Sequence, residues 1–233
     1  NTYEMSNGKD IDESGSGYDP NNPYENRDPR LKQTVIVNNS MWKGRNVEIW
    51  RGGVDGPPID RATPTGYYLK KYVQEQASMD PDNPATARHL WVYFRYAEVL
   101  LNYAEAMNEA YGPTNANGYS MTAVEAMNQV RTRAGLPAYD GTMTKEAVRE
   151  EIREERRVEL AFENHRFWDI RRWEIGSQTT EIKGMEITMN QDSTFTYNKV
   201  TIENRQWDPK MNLYPVPQGE LFKNSNLEQN PGW

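Results

Sequence analysis

The chain has 233 residues, of which 36% are hydrophobic and 30 are Gly or Pro, so its core must come from a few dense segments. A formal net charge of −7 argues against a nucleic-acid partner, which would need a positive surface. The absence of cysteine excludes disulfides and thiolate metal sites, and no apolar run reaches the roughly 20 residues of a membrane helix.

Residues 1–30 are polar and rich in Gly, Asn, Asp and Pro, which predicts turns and surface loop. Within them "DIDESG" at 10–15 resembles the opening of a calcium loop, with Asp10, Asp12 and Ser14 followed by Gly15. Asn21 stands at the twelfth position, where such a loop uses Glu, and no helices flank it, so it reads as a solvated acidic turn. "TVIV" at 34–37 predicts one short strand, and 38–84 reads as ordered loop with scattered aromatics.

From Leu90 good helix formers take over. "LWVYFRYAEVLLNYAEAMNEAYG" predicts a helix over 90–112 that stops at Gly112-Pro113, with Val99, Tyr103, Ala106 and Ala110 at helical spacing. Its apolar residues spread beyond one stripe, which predicts burial on most sides, with Trp91, Tyr96 and Tyr103 in the core. A second helix runs over 122–134, opened by a capping box of Thr122 and Glu125 and closed by Gly135. A third begins at Thr144 as N-cap and runs to Glu163 or Asn164. After Gly176, "MEITM" and "FTYNKVTIE" joined by "NQDS" predict a β-hairpin. The tail from Met211, with its three prolines and no long period, reads as an extended strap.

The densest chemistry lies in "ELAFENHRFWDIRRW" at 159–173. Glu155, Glu159 and Glu163 are one helical turn apart, with Arg156, Arg166, Asp169 and Arg172 close by. A di-metal bundle would need Glu followed by His at i+3, whereas Glu163 and His165 are two apart, and His89 is remote. The preferred reading is structural: planar guanidinium groups paired with carboxylates under Phe167, Trp168 and Trp173, fixing how the helix end meets the following chain. No nucleophile elbow, catalytic cysteine or phosphate loop is present, so no catalytic residue, metal or cofactor is assigned. The loop aromatics Trp42, Trp50, Tyr18 and Tyr24 are the candidate ligand-binding residues. Each can serve as a flat platform for a ligand or as a peg anchoring a long loop.

Taken together, "NPYENRDPRL", "TPTGYYLKKYV", "RYAEVLLNYAEAMNE", "AMNQVRTRAGL", "IREERRVELAFENHRFWDIRRW" and "YPVPQGELFKNSNLEQNPGW" resemble, in order, the middle and C-terminal half of the SusD/RagB family. The resemblance implies a mainly α fold: a tetratricopeptide-like helix pair plus a further helix, long irregular loops and a small β-hairpin. Residues 1–85 would match the family's loop-rich middle and 86–233 its C-terminal helical region. It further implies a non-enzymatic, surface-exposed outer-membrane lipoprotein of Bacteroidetes. Such a protein binds glycan or another nutrient over a SusC/RagA-type TonB-dependent transporter. The family's N-terminal half, with the lipid-bearing Cys, would be a further partner and is not in this sequence. An alternative reading is a scaffold that docks on the transporter while ligand is held elsewhere. The family often has Gly where Asn164 stands, so a left-handed turn is expected there. A lone helix pair has no repeat neighbours, which predicts an apolar face over 90–134 that residues 1–233 leave uncovered.

Overall fold

A computed structural model describes residues 2–233. Three helices build the main core: α2 (Tyr96–Tyr111), α3 (Ala123–Arg133) and α4 (Lys145–Glu159). On α2 the buried stripe is Ala97, Leu100, Leu101, Ala104 and Met107, which meets Met127 and Val130 of α3 and Val148 and Ile152 of α4. The predicted boundaries of α3 rest on the predicted chemistry. Thr122 accepts from the Glu125 N–H and Glu125 returns the bond to the Thr122 N–H at 2.7 Å, while Gly135 takes φ 87°. Thr144 caps α4 through the Ala147 N–H.

The first helix departs from expectation. It starts at Tyr96, not Leu90, because Arg95 is extended (φ −150°, ψ 162°) with its guanidinium held on two carboxylates from the far side of the core. Burial is confined to one stripe. Val99, Ala106 and Ala110 face outward, Trp91 and Tyr96 are exposed rather than core, and Tyr103 is half-buried with its hydroxyl on the Met121 carbonyl. An apolar surface of Leu90, Tyr93, Phe94, Tyr96 and Val99 is left open by this chain.

Helix α4 ends at Glu159, a turn earlier than predicted. Phe162 (φ 62°) and Asn164 (φ 67°) both adopt the left-handed region, so Asn164 does turn the chain as expected. The turn leads into α5 (Arg166–Arg172), a helix too short for its period to be read from sequence.

Before the helices, α1 (Pro29–Thr34) occupies part of the segment read as loop and strand. Asp28 caps it and Pro29 sits at its first turn. Only Val35–Ile36 of "TVIV" is a strand, β1, paired antiparallel with β4 (Tyr68–Leu69). Between them β2 (Met41–Trp42) pairs with β3 (Arg45–Asn46). The predicted hairpin is present as β5 (Glu181–Met189) and β6 (Phe195–Asn204), turning where the alternating runs suggested and extending further at its open end. Its Ile187 packs on Ile36, Val47 and Ile49, and the Met185 N–H bonds the Thr65 carbonyl at 2.9 Å, so the hairpin closes over the loop-rich segment. The tail is not purely extended: a 3₁₀ turn (Pro209–Asn212) capped by Asp208 and a short helix, α6 (Gln218–Lys223), interrupt it. Among the described residues no helix is long and apolar enough to cross a membrane.

Candidate functional site

Two places concentrate polar chemistry, and their geometry separates them. The first is the column of acids on α4. Glu155 and Glu159 lie on one helix face, and Glu163 follows beyond the bend. Cations from distant segments converge on them. Arg30 of α1 reaches Glu155 at 2.5 Å and Glu159 at 2.9 Å while also holding Asp28 at 2.7 Å. Arg95 joins Glu159 (2.5 Å) to Glu163 (2.8 Å), Arg133 adds a contact to Glu159 at 2.6 Å, and Lys71 closes on Glu163 at 2.6 Å. Arg131 stacks 3.9 Å over the Tyr139 ring and bridges Glu4 (2.7 Å) to Glu155 (3.3 Å).

The segment after α4 is fastened in the same way. Arg156 donates two bonds of 3.1 Å to Asp169, and Arg172 ties Asp169 (2.9 Å) to Glu105 of α2 (2.5 Å). The Trp173 indole N–H also reaches Glu105, at 2.7 Å. Arg166 stands apart: half-buried, it makes no ion pair or side-chain hydrogen bond among the described residues.

Burial alone would raise the pKa of Glu159 and Glu163. The hydrogen bonds from Arg95, with Arg30 on Glu159 and Lys71 on Glu163, outweigh it and hold both carboxyls below the usual range. A carboxylate shared by two or three cations is a poor proton donor, and in the cavity of about 410 Å³ that Glu159 and Glu163 line, Arg30, Lys71, Arg95 and Arg133 stand in the same wall and engage both carboxylates. What this arrangement can do is fix α1, α2, α3 and α5 against α4.

The second place is a cleft of about 720 Å³ between three turns: residues 21–25, 37–41 and the hairpin tip at 190–197. Each turn is shaped by local polar side chains. Asp19 accepts from the Asn21 N–H and from the Asn22 amide; Ser40 bonds the Val37 carbonyl beside left-handed Asn39; Asp192 accepts from the Thr194 hydroxyl at 2.6 Å. Asparagine is favoured here because it folds back on the backbone and tolerates positive φ. The same property lines the cleft with amides.

Behind them stand rings. Tyr24 meets Tyr197 edge-on at 5.4 Å, Phe195 lies 6.3 Å from Tyr197, and Trp50 backs Phe195 at 5.1 Å. Asn38 is buried, accepting from the Ile49 N–H and donating to the Tyr197 hydroxyl at 3.5 Å. The Tyr24 hydroxyl is buried and makes no hydrogen bond among the described residues. Burial raises its pKa strongly, so it is a neutral donor at any working pH. Among the described residues Glu25 is the one carboxylate in the lining, and it pairs with Lys32 at 2.9 Å.

Of the four loop aromatics singled out in the sequence, only Tyr24 lines this cleft. Trp42 and Trp50 pack from the side onto the cluster of Ile36, Val47, Ile49 and Ile187, and Tyr18 lies 5.7 Å from the Arg27 guanidinium. The cleft residues Asn38, Phe195 and Tyr197 escaped sequence reading, as did the cations Arg30, Arg95 and Arg131. One signal was available for the cleft: "PNNP", "VNNS" and "NQDST" are three Asn-rich or Asp-rich turns, and the fold brings all three together.

The chain is similar to known proteins along its whole length. The SusD family profile matches residues 1–233. A SusD-like protein, P2, of Formosa agariphila is 32% identical over 174 residues, covering 71% of this chain and 30% of that protein. The crystal structure of a SusD-like protein of Bacteroides fragilis superposes with a TM-score of 0.80 at 30% identity, covering 100% of this chain and 45% of that one. A SusD-like carbohydrate-binding protein of the same species gives a TM-score of 0.71 at 28% identity, over 97% of this chain and 46% of the other. The chain thus spans less than a third of the curated relative and less than half of the solved ones. With helices, caps, acid column and hairpin in one frame and a profile that spans every residue, the chain belongs to the SusD family.

Proposed function

We propose that this chain is part of a bacterial cell-surface protein that binds a glycan and passes it, uncleaved, to a SusC/RagA-type TonB-dependent transporter at the outer membrane. The observation that carries the reading is the cleft of about 720 Å³, where amides and hydroxyls converge in front of Tyr24, Phe195 and Tyr197. A sugar presents hydroxyls at its edge and C–H groups on its faces, so it needs both kinds of wall. Glycoside hydrolysis would need two carboxylates about 5–10 Å apart; this lining has Glu25 alone. The similar carbohydrate-binding protein of Bacteroides fragilis supports the same reading.

Isothermal titration of the chain against oligosaccharide pools tests it, with reducing-end assays run in parallel. Heat of binding without new reducing ends is expected, and silence against every pool would remove the proposal. The open apolar surface of Tyr93, Phe94, Tyr96 and Val99 favours a second reading, in which this portion docks on a partner and the ligand is held elsewhere. Unchanged glycan affinity in a Phe195→Ala/Tyr197→Ala variant, with lost transporter association in Tyr93→Ala/Phe94→Ala, would select that reading instead.

A further inference from the structure

We infer that the cleft selects uncharged glycan chains and turns away chains bearing carboxylate or sulfate; this rests on the glycan reading above. The lining offers dipoles, not free cations. Its polar groups are the amides of Asn21, Asn22, Asn38 and Asn39 and the hydroxyls at the hairpin tip. Such groups donate to and accept from neutral hydroxyls equally well, but none supplies the charge-assisted bond that a carboxylate or sulfate requires on leaving water. Among the described residues the only cation in the wall, Lys32, lies 2.9 Å from Glu25, and the pair cancels across the mouth. On the nearest hairpin Arg45 is neutralised by Asp55 at 2.6 Å, while Lys43 is turned onto the Ala77 carbonyl at 2.5 Å and keeps its charge.

The surroundings tilt the field further. Asp19 holds the Asn22 amide at 2.7 Å and Asp192 holds the Thr194 hydroxyl at 2.6 Å, so each carboxylate stands directly behind a lining residue. Neither has a cationic partner among the described residues. The mouth and its surroundings therefore carry Glu25, Asp19 and Asp192 against Lys32 and, on the adjoining hairpin, Lys43, which leaves an excess of negative charge on a chain already at −7.

The test titrates the full chain with neutral hexose oligosaccharides (α- and β-glucans, mannans and galactans) and with the same chains oxidised to carboxylates at C6, in low salt. A unit negative charge about 8 Å from two unscreened carboxylates in water-like surroundings loses about fivefold in affinity, and burial in the cleft adds to that. The expected result is a bound neutral chain whose oxidised form binds at least about fivefold more weakly, a gap that narrows with added salt and in an Asp19→Asn/Asp192→Asn variant. An oxidised chain that binds as well as its neutral parent, or better, overturns the selectivity and leaves glycan binding standing. A gap unchanged in the double variant and in salt overturns the electrostatic basis. Silence toward every chain, neutral and oxidised, removes the glycan reading and this inference with it.

Discussion

Replacing Glu159 by Gln keeps the length and shape of a side chain that is 2% exposed and removes the charge on which Arg30, Arg95 and Arg133 converge. Removing one partner of a buried ion pair costs about 3–5 kcal/mol, because the charge left behind is neither solvated nor paired. Here the cost should fall at the lower end, about 3 kcal/mol, since each arginine keeps some recourse. Arg30 retains Asp28 and Glu155, Arg95 retains Glu163, and Arg133 is 58% exposed and can turn to water. For a chain of this size that loss corresponds to a drop in Tm of about 6–12 °C, measurable by circular dichroism or calorimetry.

The same residue sets an acid limit. In the unfolded chain Glu159 titrates near 4.5, and in the folded chain it does so lower. Its contribution is thus full above about pH 4.5 and is lost as pH falls through the depressed folded value. Glu159→Gln should flatten the acid limb of a stability–pH curve as well as lower the plateau. A Tm within about 2 °C of wild type, with an unaltered acid limb, would refute the view that these pairs hold the helices together.

Three further outcomes are expected. Phe195→Ala should weaken glycan binding by about fivefold or more, the worth of one aromatic face, while melting curves report the separate loss of its packing on Trp50; unchanged affinity would remove the cleft from consideration. Asn164→Ala should cost about 1 kcal/mol in urea unfolding, because Asn164 sits at φ 67° and Ala tolerates the left-handed region less well than Asn. Asn164→Gly should be as stable as wild type or slightly more so, and equal stability of all three would contradict the turn geometry. Gly176→Ala places a methyl group inside the Trp207 indole, a collision that only movement of the ring relieves; a loss of about 1–3 kcal/mol with an altered near-ultraviolet spectrum is expected.

Local rules in the sequence determined the elements whose signals are local. Thr122 with Glu125, Gly135, Thr144 and the alternating runs around "NQDS" each act within a few residues, so helix α3, the start of α4 and the hairpin could be read directly. The acids of α4 were legible for the same reason, since helical period alone puts Glu155 and Glu159 on one face. Their partners were not. Arg30, Arg95 and Arg131 are 125, 64 and 24 residues from the carboxylates they meet, and nothing in their own neighbourhoods marks them out from surface arginines. The start of α2 was misread because long-range pinning of Arg95 overrode the helix propensity of 90–95. The cleft belongs wholly to tertiary structure. Asp19, Asn39 and Asp192 shape three separate turns for local backbone reasons, and only packing of the hairpin through Ile187 onto Ile36, Val47 and Ile49 brings their amides and hydroxyls to face one another.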